Sequence, residues 1–118
     1  MGWKIKKVPA TTNNITKAII NFLLSKGHSA SRINTQGQWD EEKQLWRKSG
    51  SRKGYFDISA CIYGRAVTID VKKGDDELGE DQLTFQKEWR AAGGLAEEFK
   101  TYNDFLLWYS KVFPNPII

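Results

Sequence analysis

Cysteine and histidine each occur once in this chain, at Cys61 and His28. One cysteine cannot close an internal disulfide, and the two residues together cannot furnish a structural zinc site. Such sparing use of cysteine fits a reducing compartment, so a cytoplasmic location is expected. Long apolar runs are missing too. A membrane span needs roughly 20 consecutive apolar residues, and the longest candidate here, AIINFLL, is interrupted by Asn21. The basic start, MGWKIKKVPATT, is not followed by an uninterrupted apolar region, so no signal peptide is expected. Internal repeats and low-complexity linkers are likewise missing.

What remains is the composition of a packed domain. The chain has 118 residues, 40% apolar and 13% aromatic, which argues for one domain over 1–118 with a real core and against disorder. Eighteen Lys and Arg against fourteen Asp and Glu give a net charge of +4. That balance permits a phosphate-backbone partner without requiring one. Both signs are clustered. Lys43, Arg47, Lys48, Arg52 and Lys53 lie in KQLWRKSGSRK, and the acids gather in GDDELGED, residues 74–81. A solvated loop and a phosphate grip share the composition of the basic cluster.

Periodicity supplies the elements. Ile15, Ala18, Ile19, Phe22 and Leu23 recur at helical spacing over 12–26, with Thr12 or Asn13 as cap and Gly27 as stop. SRINTQ reads as extended. DEEKQLWRK, 40–48, has helical propensity, but the glycines around it favour a short strand near Leu45–Arg47. Two strands, 57–63 and 66–72, flank a Gly64-Arg65 turn of type II′. EDQLTFQKEWRAAGG is a helix ended by Gly93-Gly94, LAEEF a strand, and NDFLLWYSKV a last helix closed by Pro114 and Pro116. The expected fold is α/β, a central mixed sheet flanked by helices.

The hairpin GYFDISACIYGRAVTIDVKKG carries the chemistry. A Gly64-Arg65 turn pairs Asp57 with Lys72 and Ser59 with Asp70. Alternation then sorts the faces: Ile58, Ala60, Ile62, Val67, Ile69 and Val71 on one, Asp57, Ser59, Cys61, Tyr63, Thr68, Asp70 and Lys72 on the other. Asp57 and Asp70 become diagonal neighbours with backbones ~7–8 Å apart. Carboxylates ~6 Å apart repel by roughly 3 kcal/mol at an effective dielectric of 20. Lys72 offsets part of this, and a hard divalent cation such as Mg²⁺ or Mn²⁺ would offset more. A plain cross-strand ion pair between Asp57 and Lys72 is the simpler alternative. Gln82, on a stripe with Phe85, Trp89 and Ala92, is expected to point its amide at the same end of the sheet.

GYFDI, IDVKK and EDQLTFQKEWRAAGG, in this order, resemble the motifs of the PD-(D/E)-x-K nuclease superfamily and, within it, the VRR-NUC (virus-type replication-repair nuclease) family. NITKAIINFLLSKGHSASRINTQG resembles its first helix and an Arg-x-Asn-Thr segment, and EEFKTYNDFLLWY its closing strand and helix, so the resemblance spans nearly the whole chain. It implies a restriction-endonuclease-like αβββαβ core. It implies metal-holding roles for Asp57, Asp70 and the Val71 carbonyl, a water-orienting role for Lys72 and a supporting role for Gln82. It implies Mg²⁺- or Mn²⁺-dependent cleavage of DNA, branched or structured, by a homodimer similar to the junction resolvases, some of which are phage-encoded. Phosphate contacts are expected from Arg47, Lys48, Arg52, Lys53 and Lys73. Trp39 and Trp46 suit either base stacking or packing. A monomeric nickase or flap nuclease, and a catalytically silent DNA-binding module, are the alternatives. Many members carry a Glu near the start of the first helix; TTNNIT offers only Thr and Asn there, and Phe56 stands where Pro is common.

Overall fold

The computed structural model describes residues 11–33, 38–47, 56–74 and 77–114. In chain order the elements are α1 (Thr12–Ser25), β1 (Ser29–Arg32), β2 (Gln38–Asp40), β3 (Leu45–Arg47), β4 (Ile58–Ile62), β5 (Arg65–Val71), α2 (Glu80–Ala91), β6 (Leu95–Phe99) and α3 (Tyr102–Val112). Thr11, rather than Thr12 or Asn13, caps α1: its Oγ1 accepts the Asn14 N–H at 3.1 Å. Thr101 does the same for α3 through Asp104 N–H at 3.0 Å. Both are small hydroxyl residues just outside an apolar-periodic run, the position where a side-chain oxygen satisfies an orphan donor. The ambiguous stretch near Leu45 is a strand, paired antiparallel with β2 so that Trp39 lies opposite Trp46.

Four strands form a mixed sheet in the order β1-β4-β5-β6, antiparallel except for the β5–β6 pair, and β2–β3 form a separate ribbon. The parallel pair needs a crossover, which α2 provides. Ile15, Ile19 and Leu23 of α1 and Phe105 and Tyr109 of α3 pack on Ile58, Ala60, Ile62, Val67, Ile69, Val71 and Phe99. All six apolar positions expected on one face of the hairpin are therefore core. The opposite face of β5 and β6 lies under α2, where Phe85 and Trp89 pack their rings on Phe56 at 5.5 Å each.

The hairpin turn differs from the expected one. Tyr63 (φ 48°) and Gly64 (φ 80°) are both left-handed, as in a type I′ turn, and β5 begins at Arg65. A bulky residue seldom adopts positive φ. Tyr63 does so while its ring meets His28 at 4.7 Å and Phe113 at 5.9 Å. The register consequently moves by two residues: Ile58 faces Ile69, Ala60 faces Val67 and Ile62 faces Arg65. An even slip leaves every side chain on its expected face and changes only its partner.

At the end of α2, Gly93 takes φ 100° and Gly94 lies directly against the Trp89 indole. A Cβ at Gly94 would overlap that ring. Gly94→Ala should therefore displace the indole from Phe85 and Phe56 and destabilise the protein by about 1–3 kcal/mol. Urea denaturation of the two proteins side by side measures this; equal midpoints would contradict it.

Candidate active site

The β4–β5 ladder opens at Ile58 and Ile69, in a register two residues away from the one that would set Asp57 opposite Lys72, and Asp57 lies just outside it, near enough for its charge to act on Asp70. Asp57 immediately precedes β4, and its backbone is held from both sides: its carbonyl accepts Ile33 N–H at 2.8 Å and its N–H donates to the Ile69 carbonyl at 3.2 Å. Its Oδ2 accepts the Val71 N–H at 2.8 Å. Within an extended residue the N–H and C=O point to the same side of the strand. The Val71 carbonyl thus points toward the Asp57 side, while the next amide, Lys72 N–H, turns the other way to Phe99 at 3.0 Å.

Asp70 is the unusual group. It lies on the central strand, is 3% exposed, and its Oδ1 has no hydrogen-bond partner among the described residues. Burial, then the charge of Asp57, raises its pKa from the ordinary value of 3.8 to about 6; Lys72 and the Gln86 amide pull it down, and Glu98 adds to the rise. Glu98 is near because the parallel β5–β6 register pairs it with Asp70. Register partners share a face, so Asp70 and Glu98 both belong to the α2 side. Lys72, half-buried, lies one alternation beyond Asp70 on that side.

The expected amide contact falls on a different glutamine. Gln82 is the third residue of α2, and its Oε1 accepts the Gly79 N–H at 2.9 Å, stabilising the helix start. Gln86, one turn on, is 5% exposed and is the amide against Asp70. Gln86 is not on the stripe read from the sequence, but it follows Gln82 by four residues and so shares its side of the helix, and helical periodicity alone does not separate them. Arg32, the first residue of the Arg-x-Asn-Thr segment, to which the resemblance assigns no role, ends β1 beside Asp57 and donates to Asn13 Oδ1 at 2.5 Å. The start of α1 thus presents an amide engaged with a guanidinium.

Of the expected phosphate-binding residues, Lys73 is exposed just after β5 and Arg47 lies on β3. Lys48, Arg52 and Lys53 are outside the described residues. No three acid, histidine or cysteine side chains among the described residues converge on one point. Asp57 and Asp70 nevertheless suit a hard cation: two carboxylates, a carbonyl directed to the Asp57 side, and a buried carboxylate oxygen with no hydrogen-bond partner among the described residues. None of the described helices is long and apolar enough to cross a membrane. No family model matches the chain, and no curated protein matches it closely enough to count as a relative.

Asp70 makes stability depend on pH. Its folded pKa, about 6, exceeds the ordinary 3.8, so the folded state holds the proton more tightly. Its contribution is most favourable below about pH 4 and is lost as the pH rises through 6. Asp70→Asn removes the buried charge, so the metal-free variant should be more stable than the parent at pH 8 by about 2–3 kcal/mol. The gain should vanish below about pH 4. Urea midpoints across this range test it, and a pH-independent difference would contradict it.

Proposed function

We propose that the protein is a metal-dependent, structure-selective DNA endonuclease of the VRR-NUC type, acting like a junction resolvase. The observation that carries the reading is the closeness of Asp57 to a buried Asp70, whose Oδ1 has no hydrogen-bond partner among the described residues, at one end of the β4–β5 hairpin, with the charge of Lys72 also acting on Asp70. The order of the main-sheet elements, α1-β1-β4-β5-α2-β6, supports it as well, since it follows the αβββαβ order of restriction-endonuclease-like cores.

Asp57, Asp70 and the Val71 carbonyl would hold Mg²⁺ or Mn²⁺. When bound, such an ion polarises a phosphoryl oxygen and makes water a better nucleophile at neutral pH. Lys72, anchored through its backbone to Phe99, orients the attacking water and stabilises negative charge as it builds on the phosphorus oxygens. Val71 N–H holds one oxygen of Asp57, which fixes that carboxylate before any ligand arrives. Arg47, Lys48, Arg52, Lys53 and Lys73 grip the DNA backbone, which positions the substrate without reading sequence. Two symmetric cuts at a four-way junction call for a C2 dimer.

The test is labelled duplex, flap, single-stranded and four-way-junction DNA incubated with Mg²⁺, Mn²⁺ or EDTA. Cleavage of the junction with either metal, none with EDTA, and none by Asp70→Asn is the expected pattern. Lys72→Ala should lose about 10²–10⁴-fold in turnover and still bind Mn²⁺ by calorimetry. Binding without cleavage under all conditions would favour the silent DNA-binding module. Cleavage by a protein that stays monomeric on the DNA would favour a nickase or flap nuclease.

The basic cluster makes a separate prediction. With Arg47, Lys48, Arg52 and Lys53 changed to Ala, affinity should fall about equally for every DNA structure. The slope of log K against log salt should flatten by about 0.9 for each phosphate that is no longer neutralised. An unchanged slope would move the DNA path to other cations, Arg65 and Lys73 among them.

A further inference from the structure

Two buried side-chain atoms lack a hydrogen-bond partner among the described residues, and they belong to neighbours: Oδ1 of Asp70, an acceptor, and Nε2 of Gln86, a donor. Both residues are more than nine-tenths buried, at 3% and 5% exposure. An unmade hydrogen bond at a buried atom is costly, so two side by side need a reason. Packing supplies none. Gln86 is buried beside Phe85 on α2, where Leu or Met would fill the same space without a polar atom.

The chemistry of the amide supplies one. Lys or Arg at this position would neutralise Asp70 and compete with a cation for it, and Glu would add a third repelling charge. A glutamine donates a hydrogen bond and brings no net charge. Gln82, with its Oε1 on the helix start, is not the amide against Asp70.

We infer that Gln86 is the positioning residue of Asp70. With the divalent cation shared with Asp57 in place, its amide N–H would close on the carboxylate, making the hydrogen bond that is unmade in the metal-free protein, and would fix its rotamer while leaving the remaining lone pairs to the cation. The inference rests on the reading of Asp57 and Asp70 as a cation site. It assigns the supporting role to a residue that the sequence motifs do not mark.

The experiment is Mn²⁺ binding to the whole protein, read by calorimetry, beside the melting temperature without metal. Partners that orient metal ligands typically contribute about 10- to 100-fold in affinity. Gln86→Met should weaken Mn²⁺ binding by that factor and leave the metal-free melting temperature unchanged or raised. Gln82→Met should do the reverse, lowering the melting temperature with Mn²⁺ affinity intact. Gln86→Leu serves as a second variant. An affinity within threefold of the parent in a folded Gln86 variant overturns the inference, as does loss of affinity in Gln82→Met alone. If neither Gln86 variant folds, the residue is structural and the inference falls. A parent protein that binds no Mn²⁺ overturns the cation site itself, and this inference with it.

Discussion

Strand β5 is hydrogen-bonded to β4 on one side and β6 on the other, and helices cover both of its faces where it is buried. A carboxylate at Asp70 has to be desolvated there, and desolvation favours its neutral form. The surroundings do not relieve this. The charge of Asp57 acts on it, Glu98 lies beside it in the parallel register, and Lys72 offsets them only in part. The strain persists because the backbone is over-determined: Asp57 is pinned between β1 and β5, and the residues flanking Asp70 are deep in the α1–α3 core. Stability resides on one face of the strand and the awkward chemistry on the other.

That division explains which parts of the fold were legible. Alternation of apolar and polar residues assigns faces without reference to partners, so the core side of the hairpin could be read from Ile58, Ala60, Ile62, Val67, Ile69 and Val71 alone. The partners depend on the turn. Gly64 suits the first position of a type II′ turn and the second position of a type I′ turn equally well. The choice between them rests on Tyr63 accepting a positive φ, and the rings that surround it come from His28 and Phe113, remote in sequence. A two-residue slip followed, and it removed the expected pairing of Asp57 with Lys72.

The glutamines fail to sort for a related reason. A stripe on a helix states direction, not depth. Gln82 and Gln86 face the same way, but the first turn of α2 has unsatisfied amides of its own, and Gln82 is close enough to answer one. Gln86 lies beyond that need and is buried. The strand at Leu45–Arg47 ran the other way: helical propensity was a weak prior, and pairing with Gln38–Asp40 decided it.

Charge arrangement ties the proposed chemistry to the proposed substrate. The chain carries +4 overall, a field that draws a polyanion from a distance. At close range the same polyanion meets Asp57, Asp70 and Glu98 on one face, with Lys72 as the nearest described counter-charge acting on Asp70. One lysine does not cancel three acids, so a phosphodiester would be attracted to the protein and repelled from the place where it must react. A divalent ion on Asp57 and Asp70 would cancel that remaining negative charge at that point alone. In the proposed mechanism the cation therefore admits the substrate before it assists the reaction, and the buried, unsatisfied oxygen of Asp70 keeps its place open.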